Sequence, residues 1–124
     1  MGQFQGVPGP SQDAFDAQTQ AIANLINVLQ FKRMQSETDK TTHIINVPND
    51  TMHFLIFGAT SYSYHGYGMV AATSGGALNA PTIQLEGITI TTGTGTITCN
   101  VGSSARPFYL IDILVRGNGY CTLS

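Results

Sequence analysis

At 124 residues the chain has room for one domain, or a small domain with an appendage, around a buried core. Only 10% of its residues are charged, against about 25% in an average soluble domain, and the net charge is −2. No basic patch is present to neutralise phosphates, which argues against nucleic acid, and the longest apolar runs fall far short of the roughly 20 residues that span a bilayer.

The charges are unevenly placed. Asp13, Asp16, Lys32, Arg33, Glu37, Asp39 and Lys40 crowd the first third, leaving Asp50, Glu86, Arg106, Asp112 and Arg116 for everything after residue 40. Thr, Ser, Asn, Gly and small apolar residues fill the remainder. Such a surface stays soluble through neutral hydrogen-bonding groups, and part of it is expected to be covered by another chain.

Residues 1–11 read as an extended arm. Pro8 and Pro10 fix φ and favour a polyproline-like path, too short for a collagen triple helix. Phe4 and Val7 are the candidate anchors of a docking peptide ordered on a partner. The first ten residues have neither a basic n-region nor an apolar h-region, so they do not read as a signal peptide, and assembly in a cytoplasm is expected.

Residues 12–38 read as a helix within a stem of residues 12–40. Ser11 and Asp13 suit its N-cap, Asp13 and Asp16 its positive end, and Lys32 and Arg33 a later turn. Phe15, Ile22 and Leu29 recur every seven residues with Leu25 and Ile26 between them, a sharp apolar stripe. A lone helix of this composition is marginal in water, so the stripe must pack, and heptad spacing points to a short coiled coil of sister chains.

Residues 41–124 read as all-β, an antiparallel sandwich or jelly-roll-like head of seven or eight short strands. Thr41–Val47 alternates loosely before the turn Pro48-Asn49-Asp50, and Met52–Thr60 is an apolar, aromatic strand. Tyr62 to Val70 continues extended, with Tyr62 and Tyr64 on one face. Gly66 and Gly68 are expected to bend the chain and push Tyr67 out of register, leaving it as the candidate sugar contact. Ile88–Thr91 and Thr96–Val101 form the clearest hairpin, a period of two on each side of Gly93-Thr94-Gly95. The strand Phe108–Arg116 is apolar on both faces, so it is expected to be covered on both sides.

Asp112 is the odd residue of that strand. A buried carboxylate needs a partner, and Arg106 or Arg116, from the same or a sister chain, is the expected one. His43, His53 and His65 show no ligand spacing, so no metal is expected. Neither Cys99 nor Cys121 has such spacing, and the pair reads as buried, reduced thiols. No GxSxG, P-loop or dinucleotide fingerprint occurs, so neither an enzyme nor a cofactor is expected.

The order of parts, GVPGPS (6–11), AIANLINVLQ (21–30), ITITTGTGTITCNV (88–101) and FYLIDILVRG (108–117), resembles that of a bacteriophage virion fibre or appendage protein of the head-fibre, decoration or short tail-fibre type. The resemblance implies a homotrimer, docked on a larger virion component through the arm, with the β head facing outward for host-surface glycan. The competing reading is a carbohydrate-binding module that uses Tyr62, Tyr64 and Tyr67.

Overall fold

The computed structural model describes residues 12–28, 30–36, 39–60, 63–79 and 82–124. The chain divides into two units, Met1–Gln30 and Phe31–Ser124. In the first, α1 (Gln12–Val28) carries Asp13 in its first turn, where the helix dipole favours an anion. Two ties of i to i+4 spacing, Gln12 to Asp16 and Gln20 to Asn24, each 2.9 Å, support its polar surface. Phe15 and Ile22 are 56% and 60% exposed. The arm residues Phe4, Val7, Pro8 and Pro10, and Leu29 of the stripe, lie outside the described residues, as do the side chains of Leu25 and Ile26.

The helix stops at Val28, short of the expected residue 38. Beyond it the period changes to two, and Gln30–Gln35 is the strand β1. Met34 packs on the core of the β unit, whereas Phe31 and Arg33 are exposed. Lys32 and Arg33 therefore sit in a strand, and the last turn of α1 holds no basic residue.

The β unit continues as β2 (Thr42–Asn46), β3 (Thr51–Ala59), β4 (His65–Ala72), β5 (Thr82–Glu86), β6 (Thr89–Gly93), β7 (Thr96–Asn100), β8 (Phe108–Arg116) and β9 (Thr122–Leu123). One sheet has the order β1-β8-β3-β4-β5, the other β6-β7-β2-β9. Their inner faces meet in a β-sandwich. Leu55, Phe57, Val70, Phe108 and Leu110 come from the first sheet, Ile45, Ile97 and Cys99 from the second, and Val47, Val101, Ile88 and Cys121 from the links. The expected hairpin is β6–β7, paired in register from Thr89↔Asn100 to Gly93↔Thr96, and Gly95 turns it at φ 65°.

Two glycines do something other than bend the chain. Gly66 and Gly68 lie in β4 facing the core, and Tyr67 stays in register opposite Ile56. A Cβ on Gly66 would lie 2.7 Å from the Phe57 ring, and one on Gly68 would run into the backbone of Thr82 on β5. The glycines leave room for a ring and a neighbouring strand, and Tyr67 is not displaced.

Candidate functional site

The arrangement that most resembles catalytic machinery is in the interior. His53 of β3 and Asp112 of β8, both fully buried, meet with Nδ1 and Oδ1 2.6 Å apart. The other ring nitrogen, Nε2, lies 2.6 Å from the Thr51 hydroxyl. Hydroxyl, imidazole and carboxylate thus stand in the order of a hydrolase triad.

Its hydrogen-bond directions run the other way. The Thr51 hydroxyl donates to the Pro48 carbonyl at 2.7 Å. A carbonyl cannot donate, so the hydroxyl proton is committed there and Nε2–H donates to the hydroxyl oxygen. One proton then lies between Nδ1 and Oδ1, and Asp112 Oδ2 accepts the Cys121 N–H at 2.7 Å. No base is left to activate the hydroxyl, and burial keeps substrate away. The network instead ties β3 and β8 to the segment leading into β9 of the other sheet.

Asp112 therefore pairs with His53, and neither Arg106 nor Arg116 is its partner. The Arg106 guanidinium lies 4.4 Å over the Tyr64 ring, and Arg116 is an exposed residue at the end of β8. The pairing escapes sequence reading because 59 residues separate its members. The one signal was parity, since His53 and Asp112 share a face with the apolar core residues of their strands.

His53, Asp112 and Cys121 also bring three metal-ligating atoms within 4.8 Å of one another. The histidine and carboxylate are already joined directly. Burial, reinforced by the Asp112 charge, pushes the Cys121 thiol up, which keeps its proton on. The donor set is saturated by its own hydrogen bonds. Cys99, likewise a free buried thiol, is pushed up to about 12 by burial alone.

His43 is a second buried ring, stacked on Phe108 with centroids 4.9 Å apart. Its Nε2 lies 2.8 Å from the Arg106 carbonyl, which can only accept, while Nδ1 has no partner. Burial lowers its pKa below the ordinary 6.5, outweighing the Arg106 carbonyl, which favours the protonated ring.

The three tyrosines do not form one platform. Tyr62 lies outside the described residues, and Tyr64 is half-buried beneath Arg106. Tyr67, 50% exposed, stands with Phe54, its ring 6.3 Å away, on the outer face of the five-stranded sheet. The register places Ile56, Ile111 and Ile113 on that same face. A shallow groove of about 240 Å³ opens there, lined by Arg33, Ile56, Tyr109 and Ile111.

No protein-family model matches the sequence, and no curated protein does. Among solved structures the fold is similar to the tailspike protein gp49 from Acinetobacter baumannii bacteriophage Fri1, a capsular polysaccharide depolymerase. The TM-score is 0.52 and the identity 8%, over 77% of this chain. The chain spans 19% of the length of that protein, so the likeness is one of fold, and that fold is one a phage tailspike uses.

Proposed function

We propose that the chain is a structural bacteriophage virion protein, a homotrimeric fibre or decoration protein assembled in the host cytoplasm. It docks through residues 1–11 and presents its β-sandwich outward for adhesion to a host-surface polysaccharide. The observation that carries this reading is the shared fold with a phage tailspike.

Two uncovered apolar surfaces support self-association. In α1, Phe15 and Ile22 lie exposed seven residues apart. On the outer sheet face Ile56 and Tyr67 are exposed beside Phe54, Ile111 and Ile113, an apolar patch of the kind that marks an interface. The sheet's open edges differ in charge, with Lys32 and Arg33 on β1 and Glu86 on β5. Opposite charge on opposite edges suits a head-to-tail contact, which closes into a ring such as a trimer.

Adhesion rather than cleavage fits Asp50, Glu86 and Asp112, the carboxylates after residue 40. Asp112 is sealed by its own partners. Asp50 adjoins the Thr51↔Ala72 end of the β3–β4 pair, while Glu86 pairs with His65 at the other end of β4. That length of strand is about 23 Å, against the roughly 5–9.5 Å between the carboxyl groups of a glycosidase.

The test is twofold. Light scattering of the intact chain should give three times its 13.2 kDa mass, and Ile56→Asp with Ile111→Asp, or Ile22→Asp with Leu29→Asp, should lower it. A wild-type monomer overturns the trimer. Mass spectrometry of purified virions from the phage that encodes the chain should find it as a stoichiometric component, and its absence overturns the virion assignment.

A further inference from the structure

At the end of β8 the pairing with β3 slips by one residue. His53 opposes Leu114 but Met52 opposes Arg116, so Val115 is the extra residue of a β-bulge. Strict alternation would put Arg116 on the core face with Asp112. The bulge moves it to the outer face, beside Met52 and Ala71. Gly117 follows at φ 95°, and a Cβ there would lie 2.5 Å from the Asp50 carbonyl. Glycine is what lets the strand end abut the Asp50 turn.

Asp50 itself has φ 57°, a left-handed conformation uncommon outside glycine, and its N–H is held by the Thr73 carbonyl at 3.0 Å. Across the gap the Asn79 N–H donates to the Ala71 carbonyl at 2.9 Å. These backbone ties frame a pocket of about 210 Å³, with Asp50, Thr73, Asn79 and Arg116 among its walls and Met52 and Ala71 beneath. The frame is fixed but the functional groups are not engaged. Among the described residues no hydrogen bond or ion pair occupies the side chains of Asp50, Asn79 or Arg116.

We propose that this pocket binds one residue of a neutral saccharide chain. The carboxylate of Asp50 accepts hydroxyl protons, the Arg116 guanidinium donates to hydroxyl oxygens, and Asn79 and Thr73 do either. The C–H face of a sugar ring rests on Met52 and Ala71, the usual pairing of an apolar floor with a few placed polar groups. A phosphate or carboxylate would meet Asp50 and a cation would meet Arg116, so opposed charges select an uncharged, hydroxyl-rich ligand. The volume is below the roughly 300–1,000 Å³ of sites for drug-sized ligands, which fits a single sugar residue. A second depression of about 140 Å³ shares Met52, Ala71 and Asn79 and continues past Met69 and Thr82, giving the next residue of the chain a path.

The proposal rests on the adhesion reading for the source of its ligand, while the pocket's geometry stands alone. The experiment is an array of immobilised neutral hexose and N-acetylhexosamine oligosaccharides, with uronic-acid and sulfated members for contrast, probed with the full chain. Wild type should bind neutral members, and Arg116→Ala and Asp50→Gly, which tolerates the left-handed backbone, should each weaken that binding about tenfold or more, with melting temperature and oligomeric mass unchanged. Neutral binding that survives both variants overturns the site and leaves adhesion standing. Loss in Tyr67→Ala with the Arg116 variant intact overturns it in favour of the Tyr67–Phe54 part of the same face. Preference for acidic members, strengthened by Asp50→Gly, overturns the ligand class. A silent wild type overturns the site and the adhesion reading together.

Discussion

Two couples of acid and base draw on the same part of the sandwich and differ in almost everything else. His53 and Asp112 lie on the core face of β3 and β8, fully buried and hydrogen-bonded on both ring nitrogens and both carboxylate oxygens. Asp50 and Arg116, at the ends of the same two strands, line one pocket with their side chains unengaged. The first couple has the geometry of chemistry and no capacity left for it. The second has no catalytic geometry but all of its hydrogen-bonding capacity. Saturation, more than the identity of the residues, separates a structural tie from a binding site.

The contrast can be broken by substitution. The largest effect is expected at the buried couple. Asp112→Ala should cost about 3–5 kcal/mol of stability in urea denaturation, because it strands a buried imidazole and the Cys121 N–H. His53→Ala should be similar, and the double variant should cost less than the sum of the two, since each single change orphans the other partner. Near-silent single variants would show the couple to be dispensable.

Thr51→Val should cost less, about 1–3 kcal/mol, by leaving His53 Nε2–H and the Pro48 carbonyl unpaired. A pH titration should reveal the other fully buried histidine, His43. The folded pKa of His43 lies below its ordinary 6.5, so the unfolded chain binds more protons as the pH falls past 6.5. Its contribution is therefore fully present above about pH 6.5 and lost as the pH falls from there through the folded value. Chemical denaturation at a series of pH values should show that decline, and His43→Gln should flatten it. The smallest effect belongs to the open couple, where Arg116→Ala should leave the unfolding midpoint in place. A large shift there would make Arg116 a structural residue and erase the contrast.

The β-sandwich was legible because alternation is local. Each of Ile88-Thr89-Ile90 and Thr96-Ile97-Thr98-Cys99 announces its inward face without help from the rest of the chain, and Pro48-Asn49-Asp50 marks its turn by residue type alone. The helix was overextended because Phe31, Lys32, Arg33 and Met34 are tolerable in either period, and the packing of Met34 on the sandwich decided between them. Asp112 was recognisable as a buried carboxylate in need of a partner, but its partner was not. His53 lies on a strand distant in sequence, and the register of β3 against β8 is set by long-range pairing.

The sequence alone determined the β class, the start of the helix, the hairpin and the apolar character of both faces of Phe108–Arg116, since each depends on periodicity or on one residue's intrinsic geometry. Only the tertiary structure decided which polar residues satisfy one another. A bulge of one residue moves Arg116 from the core face to the outer face, and that slip exists only when β8 is laid against β3. Whether a side chain is spent on stability or left for a ligand depends on which other groups come within hydrogen-bond distance, and contacts between distant strands fix that.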